Sequence, residues 1–154
     1  MLLGNGMENL REFLVAEHAL LEQALHELAC AAEGADPSVL AQAFTDLERS
    51  LLGHLELEER ELFPLAEPFH HDGIEASRSD HDRIRRLLAD LGVRADLHTL
   101  DKATVDDLVE ALRRHGEHED RTLYHWVETN APEGTRRELV SLLAKTIRAD
   151  VRSG

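Results

Sequence analysis

The sequence predicts an all-helical protein, and three observations support this fold class. The 154-residue chain has the length of one ordinary domain, and we expect a single domain over residues 1–154. Leu, Ala and Glu are abundant, whereas the chain has only 4 Pro and 4% aromatic residues, which favours helix. Apolar residues recur every three or four positions along four long segments joined by short connections. We therefore expect an up-down-up-down antiparallel four-helix bundle over about 7–129, with a short additional C-terminal helix over about 135–148.

The first two helices are bounded by recognisable start and stop signals. Apolar periodicity predicts helix 1 over about 7–32. Asp36 and Pro37 have the residue types of an N-cap and a first helical position, so helix 2 should begin there and run to about residue 63. Pro64 should end or kink this helix, because proline lacks the N–H group that a helix interior needs.

The third and fourth helices are read from the same kinds of signal. A turn is expected at 70–73, followed by helix 3 over about 74–91, which Gly92 should close. Asp101 or Thr104 caps helix 4, which then continues to about residue 129. Each of the four long helices thus presents one apolar face that can pack into a shared core.

Charge and composition exclude several classes of partner. The formal net charge of −14 argues against binding of nucleic acid or of anionic membranes. No apolar run approaches the roughly 18 residues required to span a bilayer, and the N-terminal stretch MLLGNGMENL lacks the basic and apolar regions of a signal peptide. The single cysteine, Cys30, cannot form an internal disulfide, and we interpret it as a small buried hydrophobic residue. These features predict a cytoplasmic protein without a nucleic-acid or membrane partner.

The chain places polar residues where apolar ones are expected. Its 10 histidines are many for this length, and two of them, on helices 2 and 4, begin H-x-x-x-E motifs whose glutamates lie on leucine-rich faces. A buried ionised carboxylate costs several kcal/mol unless it is paired or bound to a metal. No Lys or Arg lies on these faces, so a cation in the core would supply the missing positive charge. The inward set is His18, His54, Glu58, His81, His115 and Glu119.

These six residues form an internal two-fold pattern. The interval between His18 and His81 is almost the same as that between His54 and His115. Placing HLELEERELF, which begins at His54, over HGEHEDRTLY, which begins at His115, aligns the two motifs. A single inward histidine is more often a hydrogen-bonded core residue than a ligand. The repeated set of six, in contrast, predicts a metal site.

The remaining histidines and the residues near the motifs have weaker claims to a role. Four histidines on polar faces or in turns are expected to be solvated: His26, His70, His98 and His125. His118 and Glu22 flank the inward set and could support it from outside. Glu59 and Glu61 are expected on the solvated side of helix 2. Tyr124 is predicted to point away from the apolar face, so we assign it no chemical role.

Four imidazoles and two carboxylates suit Fe, Mn or Zn rather than Ca or Mg. Six protein ligands are too many for one tetrahedral zinc ion and instead suit two ions a few ångströms apart. Each ion would take one histidine from a single-histidine helix and one from an H-x-x-x-E helix, and Glu58 and Glu119 would bridge the ions. Two divalent ions against two carboxylates leave a net positive charge, which an oxo or hydroxo bridge would lower. Open positions would remain for a small diatomic ligand or peroxide.

Four segments of the chain resemble the hemerythrin-like, HHE cation-binding proteins. They are EHALL at 17–21, HLELEERELFP at 54–64, DHDRI at 80–84 and HGEHEDRTLY at 115–124, and the resemblance extends over about residues 8–129. The resemblance implies a non-haem di-iron site inside an up-down bundle. Carried over position by position, it implies the ligands His18, His54, Glu58, His81, His115 and Glu119.

The chain departs from the oxygen-carrying hemerythrins at one position. Those proteins have H-x-x-x-H on the third helix, whereas here Ser77 stands four residues before His81. One iron would therefore lose a protein ligand and gain an exchangeable position. This departure argues against a simple reversible oxygen carrier and leaves room for peroxide or NO chemistry.

Three functions are compatible with these residues. The first is a cytosolic di-iron protein that binds or handles O₂, NO or peroxide, either as a binding protein or as an oxidoreductase. The second is a regulatory or interaction module that responds to iron or redox state, which should expose an apolar patch to a protein partner. The third is a bundle with a structural Zn or Mn site. Periodicity shows no obvious partner patch, although Tyr124 and the last helix are candidates.

Overall fold

The computed structural model describes residues 9–34 and 36–153, the last of them, from 146, by their backbone alone, and contains no strand within these ranges. The predicted helix start at residue 7, and most of the stretch judged not to be a signal peptide, lie outside the described residues. The elements are α1 (Leu10–Ala31), α2 (Pro37–Leu57), a first π segment (Glu58–Leu62), α3 (Phe63–Ala66), α4 (His71–Asp96), α5 (Lys102–Glu119), a second π segment (Asp120–Tyr124), α6 (His125–Asn130) and α7 (Glu133–Ser153).

The four long helices α1, α2, α4 and α5 form a helical bundle, as predicted. Helix α1 packs against α2 and α5, and α4 packs against the same two helices, so each bundle helix has two neighbours among the other three. The C-terminal helix α7 packs against α1. No helix within the described ranges combines the length and the hydropathy that a bilayer crossing requires.

The core is divided into two apolar clusters. Cluster A draws one leucine from each bundle helix, among other residues: Leu25, Leu51, Leu88 and Leu108. Cluster B lies at the other end and includes Leu14, Leu62, Ile74 and Leu123, together with Leu139 and Leu143 of α7. Along α1 and α4 cluster B precedes cluster A, whereas along α2, and along α5 with the π segment that follows it, the order is reversed. His18, His81, His115 and Glu119 occur in the sequence between the two clusters, and on α2 the change from cluster A to cluster B falls between His54 and Glu58.

Side-chain caps fix the starts of three helices. The Asn9 side chain accepts hydrogen bonds from the first turn of α1. Asp36 caps α2 and is followed by Pro37 in the first turn, as predicted. Of the two candidates for α5, Asp101 is the cap, because its carboxylate accepts a hydrogen bond from the backbone N–H of Thr104. Each cap satisfies backbone donors that have no partner within the helix.

Helix 2 was predicted to run to about residue 63 and to end or kink at Pro64; it does not end there, because the chain stays helical to Ala66. The first π segment precedes this proline, and the N–H of Phe63 bonds to the carbonyl of Glu58, five residues earlier. Pro64 then occupies the first turn of α3, where its missing N–H leaves no intrahelical bond unmade.

The predicted limits of helix 3 are also wrong, since α4 begins at His71 and continues to Asp96. Residues 71–73 belong to the first turn of this helix and not to a loop. Gly92 does not close α4 but lies within it, and a Cβ at this position would come 3.3 Å from ring atoms of Phe44. The glycine therefore lets the ring on α2 approach the α4 backbone. The chain leaves α4 farther along and turns at His98, whose φ is 57°.

Two expectations about single elements need correction or extension. Cys30 is exposed and not buried, because the neighbouring Leu28 and Ala29 take the inward positions of α1. The C-terminal helix is longer than predicted and spans Glu133–Ser153.

Candidate metal centre

The structure brings the six inward residues to one level of the bundle. Five of them are buried, and the sixth, His18, is half-buried on α1. The buried five are His54, Glu58, His81, His115 and Glu119. Because each bundle helix contributes at least one of the six, the cluster lies in the shared core and not on one surface.

The H-x-x-x-E spacing places each histidine and glutamate of a pair on the same helical face. In His54 and Glu58 the nearest side-chain atoms, Nε2 and Oε1, are 2.8 Å apart. In His115 and Glu119 the same two atom types are 2.6 Å apart. The two halves of the chain thus build equivalent pairs from aligned motifs.

A π segment begins at or directly after the glutamate of each pair. The first covers Glu58–Leu62 and the second Asp120–Tyr124. Such widened turns occur frequently at functional sites. Each π turn takes one more residue than an α turn, so it rotates every later side chain by about 100° relative to a continuous α-helix. The residues that follow the two glutamates therefore face directions that a simple helical count does not predict.

The ligand atoms fall into two groups that share both glutamates. The first group comprises His18, His54, Glu58 and Glu119, and the second comprises Glu58, His81, His115 and Glu119. Within each group one ligand atom per residue lies within 4.8 Å of all the others. Two ions could therefore be held side by side, with the glutamates between them.

The imidazoles of each group meet through their Nε2 atoms. These atoms are 2.7 Å apart in His18 and His54, and 3.0 Å apart in His81 and His115. Nitrogen atoms this close must share a proton or a cation. A metal ion at each meeting point would satisfy both nitrogens, which is the arrangement expected of a ligand pair.

The carboxylates show the same need for a cation. Oε2 of Glu119 is buried and has no hydrogen-bond partner among the described residues, and the close contact of Glu58 Oε1 with Nε2 of His54 lacks the geometry of a hydrogen bond. Burial and the neighbouring Glu58 charge raise the pKa of Glu119 well above its usual range. Burial opposes ionisation of Glu58, but the contact with His54 holds its pKa well below the usual range. Without metal, only one of the two carboxylates thus ionises readily, and the donor set fits a pair of cations.

Carboxylates outside the cluster support three of the four histidines. The three pairs, each measured from a carboxylate oxygen to Nδ1, are Glu17 with His54 at 3.0 Å, Glu59 with His81 at 2.9 Å, and Asp80 with His115 at 3.1 Å. The last two have hydrogen-bond geometry, whereas the first is a close contact without it. Such partners orient the ring and make its other nitrogen a better ligand. In each of these three histidines the contact at Nδ1 therefore helps to keep Nε2 facing the cluster.

The expectation that Glu59 lies on the solvated side of helix 2 is wrong. Its carboxylate bridges two residues of α4, accepting hydrogen bonds from both guanidinium NH₂ groups of Arg85 at 2.6 and 3.0 Å and contacting Nδ1 of His81. Burial opposes ionisation of Glu59, but Arg85 and His81 lower its pKa overall. The contact crosses from one helix to another, so no spacing within helix 2 could reveal it.

His18 differs from the other three histidines. None of the described carboxylates pairs with its Nδ1, which instead lies against Gly116 so closely that a Cβ there would overlap it. Burial lowers the pKa of His18 to about 3, so the metal-free ring is neutral and free to bind a cation.

Tyr124 was assigned no chemical role because it was predicted to point away from the apolar face. That predicted direction is wrong, because the side chain points into the cluster. The residue is 1% exposed, and its hydroxyl lies 2.8 Å from Nε2 of His18. The hydroxyl also donates a hydrogen bond to Oε2 of Glu58 at 3.0 Å. The second π segment ends at Tyr124, and its extra residue accounts for the inward rotation.

The other candidates lie away from the cluster. His26, His70, His98 and His125 are exposed, as predicted. Glu22 accepts hydrogen bonds from Arg113 and does not reach the inward histidines. Glu61 pairs with Arg60 on the outside of the first π segment. His118 is half-buried, and its Nε2 has no hydrogen-bond partner in the described parts of the chain.

The comparisons with known proteins agree with this geometry. The family model described as Hemerythrin HHE cation binding domain matches residues 9–139. No curated protein and no solved structure matched the chain. The family match covers most of the chain, including all six inward residues. The chain therefore belongs to the hemerythrin HHE cation-binding domain family.

Proposed function

We propose that this chain is a non-haem di-iron protein that binds or handles a small ligand, O₂, NO or peroxide, in the bundle core. The observation that carries this proposal is the presence of two ligand groups that share Glu58 and Glu119. A mononuclear site would need only one such group. The family match to a cation-binding domain supports the same conclusion.

The six residues divide into two terminal pairs and one bridging pair. His18 and His54 would hold one ion, His81 and His115 the other, and the two glutamates would join them. The alternating order of clusters A and B along the bundle helices supports our further proposal that these helices run up-down-up-down. In that topology all four helices can present ligands at one level.

Iron is the metal that we propose, because imidazole and carboxylate ligands suit it and four protein ligands leave octahedral positions open. Iron would supply ligand binding and electron transfer, and manganese or zinc would occupy the same donors with different chemistry. The protein itself orients the imidazoles through the outer carboxylates and excludes water with the apolar clusters on both sides. The single cysteine of the chain supports a cytosolic location as part of this proposal.

We propose that a small ligand approaches the second pair through a surface groove, whose lining includes Ser77 but none of the six inward residues. The groove has a volume of about 610 Å³ and is lined by α3, α4, the second π segment and α6. Ser77 lines it and is only 1% exposed, one helical turn before His81. A serine at this position fills less space than a histidine would, which supports approach of a small ligand from this side.

The proposal is tested by metal loading followed by spectroscopy. The chain is loaded with Fe(II) under argon, its iron is counted, and its optical spectrum is recorded in air with and without azide, NO or H₂O₂. We expect two irons per chain and ferric bands that change with these ligands. A reproducible plateau at one iron, or a colourless protein that selects zinc from a metal mixture, would contradict the proposal.

A further inference from the structure

Tyr124 has no hydrogen-bond partner outside the metal centre among the described residues. Its hydroxyl contacts Nε2 of His18, Oε2 of Glu58 and, at 3.5 Å, Oε1 of Glu119. A buried tyrosine hydroxyl needs a polar partner, and here every partner is a proposed metal ligand. The phenol oxygen is therefore part of the donor set and not a packing residue with a chance contact.

The separations match those of atoms that share one ion. Ligand atoms bound at about 2.1 Å in adjacent octahedral positions lie roughly 3 Å from one another. The phenol oxygen lies 2.8 Å from a His18 nitrogen and 3.0 Å from a Glu58 oxygen. Both residues belong to the group of His18 and His54. The phenol oxygen thus has the spacing of a further ligand at that position.

The other half of the chain has no equivalent oxygen. The alignment of the two motifs places Phe63 opposite Tyr124. The Phe63 ring packs against His81 with the ring centroids 5.1 Å apart, whereas the Tyr124 ring lies 5.6 Å from the ring of His18. The rings thus hold matching places, and only one of them brings a hydroxyl to the centre.

We propose that Tyr124 binds, as a phenolate, the iron held by His18 and His54, an inference that rests on the proposed di-iron function. The phenol O–H bond breaks as the oxygen binds iron, and the proton leaves to solvent, so no oxidant or reductant is needed. The added negative charge lowers the net positive charge of two ions against two carboxylates. The two irons would consequently differ in their ligands, since the iron at His81 and His115 has no phenolate.

A spectroscopic experiment tests this ligand directly. Wild type and Tyr124→Phe are loaded with Fe(II) under argon and exposed to air, whose O₂ oxidises the iron, and the iron is counted. Tyr124 is the only tyrosine in the chain, so a phenolate-to-Fe(III) charge-transfer band can come from no other residue. We expect wild type to show this band and phenolate ring modes in its resonance Raman spectrum, and Tyr124→Phe to lack both.

Phe63→Leu serves as the matched control, because it changes the ring beside the other histidine pair and leaves the phenol in place. It should keep the band. Two irons per chain in wild type without phenolate modes would overturn the inference and leave the di-iron proposal standing. Modes that persist in Tyr124→Phe would also overturn it. A wild-type chain that holds no iron would overturn both proposals.

Discussion

His81 and His18 hold matching positions in the two halves of the chain, but their surroundings differ. Nδ1 of His81 faces the Glu59 carboxylate, which Arg85 holds in turn, and the Phe63 ring packs beside the imidazole. This histidine is therefore oriented by charge from one side and by an apolar ring from another. All of these contacts come from residues of the bundle itself.

His18 has different contacts. Asp120 aligns with Glu59 but pairs with Arg11, its Oδ1 lying 2.7 Å from Nε of the arginine. His18 consequently has no carboxylate of this kind, and the backbone at Gly116 approaches its ring instead. Tyr124 adds a hydroxyl where the other half has an apolar ring.

This comparison teaches that the internal repeat reproduces the ligands and only part of their support. Glu17 and Asp80 hold matching positions beside His54 and His115, whereas Glu59 and Asp120 have different partners. Aspartate is one methylene shorter than glutamate, and the Asp120 carboxylate contacts Arg11 and not an imidazole. Two ions bound to matching ligands would then have different neighbours. The variants below test whether the two halves of the chain differ in this way.

The largest effect is expected from the residues that both halves share. Glu58→Ala or Glu119→Ala should reduce the iron content from two per chain to nearly none, because a lost bridge weakens both positions. Metal analysis after Fe(II) loading measures this, and Glu61→Ala, which alters a carboxylate outside the cluster, is the control. Both variants retaining two irons with unchanged spectra would show that these glutamates are not the bridges.

The next largest effect should be the loss of one iron, from one half of the chain alone. In Gly116→Ala the new Cβ would overlap Nδ1 of His18 and displace the ring, so we expect one iron to be lost and the other kept. The matched control is Gly53→Ala, because a Cβ at Gly53 meets no atom within 4 Å. That variant should keep both irons and gain about 0.5–1 kcal/mol of stability, the usual advantage of alanine over glycine in a helix. Equal iron content in the two variants would refute the close approach to His18.

A smaller effect should come from the supporting carboxylates. Glu59→Ala should weaken iron binding about 10- to 100-fold, the usual cost of removing a partner of a ligating histidine. Asp120→Ala removes the aligned carboxylate, which has no contact with His18, and should leave the affinity unchanged. Competition with a chelator measures both constants. Similar losses in the two variants would mean that the halves are supported alike.

The smallest effects concern pH and the metal-free chain. Burial opposes the charged form of His54, but the Glu58 charge raises its pKa well above the ordinary value of 6.5. The same contact lowers the pKa of Glu58 well below its ordinary value of 4.5. The histidine's contribution is complete below pH 6.5 and is lost as pH rises through its raised pKa. The glutamate's contribution is present above pH 4.5 and is lost as pH falls through its lowered pKa.

The pair should therefore stabilise the metal-free fold most between these two ordinary values. His54→Gln should cost more unfolding free energy at about pH 6 than at about pH 9. Burial lowers the pKa of His18 instead, so His18 opposes folding in acid, and His18→Gln should lessen the acid sensitivity of the chain. Denaturant titrations at the two pH values measure both effects. An equal cost of His54→Gln at both would contradict the buried ion pair.

Local sequence signals were sufficient for much of this protein. The leucine-rich faces predicted the four long helices, and Asp36 and Asp101 predicted two of their starts, because caps and periodicity depend on neighbouring residues. The inward direction of the two H-x-x-x-E motifs followed from the same periodicity, since i and i+4 side chains share a face. The family was likewise recognisable from four short segments.

Contacts between helices decided what the sequence left open. Glu59, in the π segment that follows α2, meets His81 only because this part of the chain packs beside α4, and Gly92 leaves room for the Phe44 ring of α2. Tyr124 faces the centre because a π turn adds one residue to its helix. π turns are rare compared with α turns, so a π turn forms where burial and hydrogen bonding of the rotated side chain favour it. Here the rotated side chain is the Tyr124 phenol, and its partners are the histidine and glutamate pairs. Those pairs come together only once the bundle has formed.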